Sequence, residues 1–170
     1  DNLLGNPVFV DYYAKKFGEK CEDMVVVSPD VGSVARARTF AQKLHMNLAI
    51  VDKRRQKANH CEVMNVIGDV EGKDCILFDD MIDTAGSICN AAKAIVEVGG
   101  AKNCASHGVL SGPALERLQS SVIKEVALLN TIPEAMGEGC DKIKYLSVAP
   151  MFAEAIERIY QEISIAKLFN

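Results

Sequence analysis

The sequence predicts an α/β fold in which a parallel sheet is covered by helices on both faces. Short, continuously apolar runs rich in β-branched residues, such as residues 24–28, alternate with segments that carry apolar residues at helical spacing. Continuously apolar strands of this kind are typical of parallel sheets buried on both faces. Ligands of such sheets bind at the carboxyl ends of the strands, so functional residues are expected in the strand-to-helix loops.

Six strands and three helices follow from these patterns. The strands are expected at residues 24–28, 48–51, 75–78, 105–110, 125–129 and 144–148. The helices are expected at residues 33–44, at residues 87–98, where two glycines then stop the helix, and from Pro150 onward. Residues 1–7 are expected to form a turn.

Length and composition limit the class of protein. A chain of 170 residues fits one domain, and 19 basic against 23 acidic residues give a net charge of −4, so we expect no nucleic-acid partner. No apolar run approaches the about 20 residues that a bilayer span needs, and no signal peptide opens the chain, so we expect a cytoplasmic protein without membrane association. The six cysteines form no CxxC pair and are expected to be reduced, buried thiols. Because the first residue is Asp1 and not Met, we expect the chain to be a piece of a longer protein.

The most informative segment follows the predicted strand 75–78. Asp79 and Asp80 come directly after this strand, and small, hydroxyl-bearing residues at 84–87 then open a helix. Backbone amides at a helix N-terminus bind phosphate, and Gly86 lets the backbone approach the ligand closely. The two carboxylates would repel that phosphate, so they are assigned to sugar hydroxyls or to Mg²⁺ held through water. The alternative is that the acids only cap the helix.

Two further loops carry charged residues. Asp30 follows the predicted strand 24–28, and the amides of Gly32 and Ser33 at the next helix start would meet phosphate oxygens while Asp30 binds Mg²⁺. The alternative is an ordinary Asp-Gly turn. Residues 52–59 carry four cations within five positions and are expected to form a mobile surface loop that closes over a polyphosphate. The alternative there is a solvated basic turn.

Together, and in this order, the three loops resemble those of the ribose-phosphate pyrophosphokinase family, the phosphoribosyl pyrophosphate synthetases. The sequence SPDVG at residues 28–32 resembles the family's pyrophosphate-binding loop, DKRR at residues 52–55 its catalytic flexible loop, and residues 79–87 its ribose-5-phosphate loop. Residues 107–114 and 130–133 resemble downstream signatures of the family. The resemblance implies a type I phosphoribosyltransferase-like fold. It also implies that residues 1–170 form a single domain, the C-terminal half of a longer two-domain chain.

The resemblance further implies the family's reaction. The diphosphoryl group of ATP is transferred to the 1-hydroxyl of ribose 5-phosphate, which gives phosphoribosyl pyrophosphate and AMP and requires Mg²⁺. Lys53 and Arg55 would stabilise the transition state, and Asp30 would be a Mg²⁺ ligand. The pyrophosphate of ATP would be lined by Asp30, Val31, Gly32 and Ser33. Ribose 5-phosphate would be held by Asp79, Asp80, Asp83, Thr84, Ala85, Gly86 and Ser87.

The resemblance also implies partners and leaves alternatives open. The full-length protein is expected to be a homo-oligomer, with phosphate or ADP as possible effectors, although Ala166 replaces a serine of the effector segment. Ser33 stands where the family commonly has a second glycine. The isolated fragment is expected to be inactive or impaired, because the family binds ATP with its first half as well. The alternatives are a phosphoribosyltransferase that consumes phosphoribosyl pyrophosphate and a non-catalytic regulatory paralogue, and His107 is expected to be hydrogen-bonded within the fold.

Overall fold

The structure, a computed structural model, describes residues 3–54, 63–97 and 103–169. These ranges contain seven strands and five α-helices. In chain order they are α1 (Asn6–Phe17), β1 (Met24–Ser28), α2 (Val34–Lys43), β2 (Asn47–Arg54), β3 (Val63–Ile67), β4 (Asp74–Ile82), α3 (Gly86–Glu97), β5 (Asn103–Gly108), α4 (Ala114–Ser120), β6 (Glu125–Leu129), β7 (Ile143–Leu146) and α5 (Ala149–Tyr160). Within the described ranges, no helix is long and apolar enough to cross a bilayer.

The strands form one sheet in the order β3-β2-β1-β4-β5-β6-β7. Every neighbouring pair is parallel except β2 and β3, which are antiparallel. The predicted parallel sheet is therefore confirmed for six strands, while the edge strand β3 was not predicted. The interpretation of residues 52–54 as a loop is wrong, because Asp52, Lys53 and Arg54 pair with Asn65, Met64 and Val63 of β3. Strands at the edge of a sheet commonly carry charged residues, and β2 and β3 lie at one edge of this sheet.

Helices cover both faces of the sheet, as predicted. Alternate residues of β1 point to opposite faces, so Val25 and Val27 pack with α3 and α4, whereas Val26 packs with α1 and α2. On the α1 and α2 side, the rings of Phe40 and Phe78 stack with centroids 4.4 Å apart. The sheet therefore has a hydrophobic core on each face, one beneath α3 and α4 and one beneath α1 and α2.

Two of the five helices were not predicted. Helix α1 begins at Asn6, so the predicted turn over residues 1–7 is wrong from that residue on; Pro7 in the first helical turn is compatible with a helix start. Phe9 and Tyr13 are buried on one face of α1, at the spacing of four that a helix requires. Helix α4 has only seven residues, too few to show a periodic pattern.

Several predicted boundaries also shift. Strand β4 continues beyond residue 78 to Ile82, so Asp79 and Asp80 lie within the strand and not in the loop after it. Strand β6 has the predicted bounds, and α5 starts at Ala149 with Pro150 in its first turn. Of the apolar residues on α5 only Ala155 is buried, whereas Phe152 and Ile156 are exposed. Among the described cysteines, Cys21, Cys75 and Cys140 are buried free thiols and Cys89 is a half-buried one.

Candidate functional site

The carboxyl ends of β1 and β4 form the centre of the candidate site. The two strands are parallel neighbours, with Val27 aligned to Leu77, so the loop after β1 and the end of β4 lie side by side. A hydrogen bond of 3.0 Å from Ser33 Oγ to Asp79 Oδ1 joins them directly. Two of the three loops singled out in the sequence are therefore brought together.

The loop between β1 and α2 is held by its own side chains. Asp30 Oδ1 accepts a 2.7 Å hydrogen bond from the N–H of Ser33, and Ser28 Oγ donates a 2.7 Å hydrogen bond to the carbonyl of Asp30. The turn proposed as the alternative role of Asp30 is thus present. It occupies one carboxylate oxygen, so the other oxygen of this exposed residue can still meet a cation. Val31 and Gly32 are exposed, and Ser33 is buried.

A β-bulge places the two aspartates of β4. Phe78 aligns with Ala105 of β5 and Met81 with His107, so Asp79 and Asp80 together oppose the single residue 106. Successive side chains of a regular strand point to opposite faces, but a bulge changes their direction and is common beside active sites. Here the bulge lets both carboxylates approach the guanidinium of Arg36. Its Nη1 atom lies 2.9 Å from Asp80 Oδ2, and its Nη2 atom lies 4.0 Å from Asp79 Oδ1.

The two aspartates differ in exposure and in their hydrogen bonds. The Asp79 side chain is 16% exposed and that of Asp80 is 53% exposed. Burial raises the pKa of the Asp79 carboxyl above its usual value, and this outweighs the opposing hydrogen bonds from the Asp80 N–H and from Ser33. The Asp79 Oδ1 atom accepts both of these bonds, at 2.9 Å and 3.0 Å. Its Oδ2 atom is left to accept a bond from a ligand.

The 83–87 loop connects this strand to α3. Asp83, Thr84 and Ser87 are exposed, whereas Ala85 is buried and has a positive φ of 59°. That conformation costs an alanine about 1–2 kcal/mol, so surrounding contacts must hold it. The carbonyl of Asp83 accepts a 3.0 Å bond from the Ser111 N–H, and the carbonyl of Ala85 accepts a 3.1 Å bond from the Cys89 N–H.

The same loop offers donors at the start of α3. The first N–H groups of a helix lack acceptors within the helix, and they carry the positive end of its dipole. These amides, with the exposed hydroxyls of Thr84 and Ser87 beside them, are donors of the kind that bind an anion, and the assignment of residues 83–87 to a phosphate stays a prediction. The arrangement is chemically suited to a phosphate monoester beside a polyhydroxyl group.

The third sequence motif is covered only in part. Lys53 lies near the end of β2, where its main chain pairs with Met64. The side chain of Lys53 and the whole of Arg55 fall outside the described residues. Their assignment to the transition state therefore remains a prediction.

A cavity of about 490 Å³ opens beside the aspartates, and Arg36, Asp79 and Asp80 contribute to its wall together with Phe9 of α1 and the two leucines that precede this helix. His107 also borders it, and its Nδ1 atom lies 2.8 Å from Thr131 Oγ1. This histidine is hydrogen-bonded within the fold, as expected from the sequence. The 490 Å³ space can admit a small ligand that reaches the aspartates from the α1 side.

The carboxylates suit a magnesium ion that arrives with a phosphate ligand. Among the described residues, no group of three or more His, Cys, Asp or Glu side chains is placed to hold a metal ion. Magnesium commonly keeps several waters and is held by one or two carboxylates together with substrate phosphates. The unbonded oxygen of Asp30 on an exposed loop fits that kind of site, and a cage made of protein ligands alone is not present in these ranges.

Sequence reasoning missed two arginines. Arg36 lies one helical turn after Ser33 and donates a 3.3 Å hydrogen bond from Nη2 to its hydroxyl, so its position on α2 was a usable signal. Arg117 of α4 donates a 2.9 Å hydrogen bond from Nη1 to the carbonyl of Thr84. Arg117 and Thr84 are 33 positions apart in the chain, and no local sequence pattern indicates that they are in contact.

Comparisons with known sequences identify the family to which the chain belongs. Residues 54–170 match the family described as the phosphoribosyl synthetase-associated domain. A ribose-phosphate pyrophosphokinase of Clostridium tetani is 58% identical over 173 residues, which cover 100% of this chain and 54% of that protein. The chain thus spans about half the length of the curated relatives it matches.

Solved structures agree at the level of the fold. A phosphoribosylpyrophosphate synthetase from Mycobacterium smegmatis superposes with a TM-score of 0.82 at 37% identity, covering 92% of this chain and 51% of that one. An adenine phosphoribosyltransferase from Saccharomyces cerevisiae superposes with a TM-score of 0.54 at 18% identity, covering 69% of this chain and 75% of that one. The second likeness shows a shared fold alone, which is the predicted type I phosphoribosyltransferase-like architecture.

Proposed function

The chain belongs to the phosphoribosyl synthetase-associated domain family, and from this premise we propose that the ends of β1 and β4 bind ribose 5-phosphate for phosphoribosyl pyrophosphate synthesis. In this reaction the 1-hydroxyl oxygen of the sugar forms a bond to the β-phosphorus of ATP. The bond between that phosphorus and the oxygen shared with the α-phosphorus breaks, AMP leaves, and the hydroxyl proton is released. The alternative, a phosphoribosyltransferase, is not favoured, because its support is a shared fold alone.

The observation that carries the proposal is the fixed position of Asp79. A partly buried carboxylate with one oxygen bonded to Ser33 and Asp80 presents its other oxygen in a defined direction, beside the proposed anion-binding loop. A ribose ring with vicinal hydroxyls on one side and a 5-phosphate on the other matches both features. In the proposed complex Asp79 accepts from the ribose hydroxyls, with Asp80 supporting it, and residues 83–87 hold the 5-phosphate.

The remaining residues act on the diphosphate. Phosphoryl-type transfer depends on positioning the reactants and on neutralising charge, so cations around the β-phosphate are the expected catalytic groups. Lys53 and Arg55 take that role in the proposal, and Asp30 to Ser33 line the pyrophosphate. Asp30 would hold Mg²⁺, which supplies positive charge to the diphosphate oxygens when bound.

The proposal extends to the longer protein. Since the chain covers about half of its curated relatives, we place it as the C-terminal half of a two-domain protein in which residues 1–170 form one domain. ATP would contact both halves, the whole protein would assemble as a homo-oligomer, and phosphate or ADP would act as effectors. The 170-residue chain alone would bind the sugar phosphate weakly and turn over little or no ATP.

Calorimetric titration with ribose 5-phosphate tests the proposal. We expect the chain to bind the ligand and Asp79→Ala to lose most of that affinity. Asp69→Ala is the matched control, because Asp69 pairs with Lys73 in the turn before β4, at the amino end of that strand. Unchanged affinity in Asp79→Ala, or equal losses in both variants, would remove Asp79 from the site.

A further inference from the structure

Helix α4 contacts the 83–87 loop from the side of α3. Arg117, on α4, donates a 2.9 Å hydrogen bond from Nη1 to the carbonyl of Thr84. A Cβ atom added to Gly86 would lie 3.3 Å from the same Nη1 atom, so the guanidinium rests directly against the Gly86 backbone. One side chain therefore touches the residues before and after Ala85, the residue with positive φ.

We propose that Arg117 is a positioning residue for the bound 5-phosphate, and that it acts by fixing the carbonyl of Thr84 and so the amides of the 83–87 loop. The proposal rests on the proposed function. It adds a residue from outside the three sequence motifs, and Arg117 does not itself touch the ligand.

The loop needs such a contact because its conformation is strained. A left-handed alanine is unfavourable, and residues of this kind persist only where surrounding interactions fix them. The carbonyls on either side of Thr84 accept hydrogen bonds from main-chain groups. The carbonyl of Asp83 accepts from the Ser111 N–H, and the carbonyl of Ala85 accepts from the Cys89 N–H. The Thr84 carbonyl receives its bond from the Arg117 side chain instead, so a single substitution at Arg117 removes this bond and leaves the sequence of the loop unaltered.

A neighbouring cation provides a control for charge. Lys93 of α3 and Arg117 both line a groove of about 390 Å³ between α3 and α4. Lys93→Ala removes the same unit of positive charge, but Lys93 makes no hydrogen bond to the loop among the described residues. A role in positioning therefore predicts a large difference between the two variants, whereas a role through charge alone predicts similar effects.

Binding of ribose 5-phosphate and of inorganic phosphate is measured by calorimetry for four proteins: the unmodified chain, Arg117→Ala, Arg117→Lys and Lys93→Ala. We expect Arg117→Ala to weaken both ligands about tenfold, the loss typical of a charge-assisted hydrogen bond. Arg117→Lys, which keeps a donor, recovers part of that loss, and Lys93→Ala changes binding less than twofold. Equal affinity in Arg117→Ala and the unmodified chain, or equal losses in Arg117→Ala and Lys93→Ala, would overturn the proposal.

Amide NMR of the ligand-free chain separates this proposal from the proposed function. Arg117→Ala should shift the Ala85 and Gly86 signals, whereas Lys93→Ala should leave them in place. Unshifted signals in Arg117→Ala would overturn the positioning role. Shifted signals in a chain that binds neither ligand would mean that Arg117 fixes the loop but that the proposed function, and with it the role toward a 5-phosphate, is wrong.

Discussion

The hydroxyl of Ser33 donates a 3.0 Å hydrogen bond to Asp79 Oδ1, and the two residues are 46 positions apart in the sequence. Ser33 is buried, with 2% of its surface exposed. In the sequence this serine stands out because the related family commonly has a second glycine here. The contact shows its consequence. Through Ser33 the loop that carries Asp30 is tied to the carboxylate on β4, because the same residue donates its N–H to Asp30.

Removing this hydroxyl should change both the acidity and the affinity of the site. The hydrogen bond from Ser33 lowers the pKa of Asp79, so in Ser33→Ala we expect that pKa to rise further. Ribose 5-phosphate should bind about fivefold to tenfold more weakly, since a typical hydrogen bond contributes about 1 kcal/mol. Carbon-13 NMR of the Asp79 carboxyl and calorimetry measure the two effects. Ser164→Ala, in the exposed C-terminal tail, is the control, and a lowered pKa in Ser33→Ala would contradict this role of the hydroxyl.

The raised pKa of Asp79 also predicts how stability depends on pH. When the pKa of a carboxyl is higher in the folded than in the unfolded protein, the folded state binds the proton more tightly. The free energy of unfolding therefore falls as the pH rises from the pKa of the unfolded state through that of the folded state. Asp79→Asn keeps an acceptor for Ser33 and removes the partly buried charge. We therefore expect its melting temperature to exceed that of the unmodified chain at neutral pH and to converge with it in acid.

Asp69 serves as the control, because its pKa is shifted in the opposite direction and its effect on stability has the opposite pH dependence. A hydrogen bond from Lys73 lowers the pKa of this exposed carboxyl, so its contribution is present above the unfolded pKa and disappears as the pH falls through the folded one. Asp69→Asn should be slightly less stable at neutral pH and unchanged in acid. If Asp79→Asn were less stable than the unmodified chain at neutral pH, the cost assigned to the partly buried Asp79 charge would be wrong.

Arg36 should affect binding more than stability. Its side chain and that of Asp80 are both about half exposed, and such pairs contribute about 0–1 kcal/mol to folding. In Arg36→Ala the ligand phosphate approaches two carboxylates that no longer have the Arg36 cation beside them, so ribose 5-phosphate should bind more weakly, and most of all at low ionic strength. Calorimetry at two salt concentrations measures this effect. Arg38→Ala, which removes a charge from the exposed face of the same helix, is the control, and tighter binding by Arg36→Ala would contradict the expectation.

Asp30 should determine the effect of magnesium on pyrophosphate binding. Asn can accept the bond from the Ser33 N–H that Asp30 accepts, so Asp30→Asn should preserve the turn while removing the negative charge. We expect Mg²⁺ to strengthen pyrophosphate binding to the unmodified chain and to have little effect in Asp30→Asn, whereas ribose 5-phosphate binds both equally. Titrations with and without Mg²⁺ measure this. An undiminished effect of Mg²⁺ in the variant would exclude Asp30 as its ligand.

The parts of the fold that were predicted are those with a local apolar signal. Strands β1 and β6 have the predicted bounds because each is a continuous apolar run. Strand β3 was missed, since Asn65 interrupts its apolar pattern and its pairing with β2 is non-local. The apolar residues of α1 recur at helical spacing from Phe9 on, but the polar, proline-containing residues that precede them suggested a turn.

The sequence singled out the residues of the candidate site but did not indicate how they are arranged in space. The nine residues from Asp79 to Ser87 were singled out from type and order alone. The β-bulge at Asp79 and Asp80 depends on residue 106 of the opposing strand, and the bond from Arg117 to Thr84 depends on α4 packing beside α3. Such contacts arise only when distant segments meet, so no pattern within either segment indicates them.

A crystal structure of the chain grown with ribose 5-phosphate tests the central claim most directly. We expect the 5-phosphate at the amides of residues 84–87 and the ribose hydroxyls within hydrogen-bonding distance of the Asp79 carboxylate. A sugar phosphate bound at another place on the domain, or turned so that its hydroxyls lie away from Asp79, would contradict the proposed function.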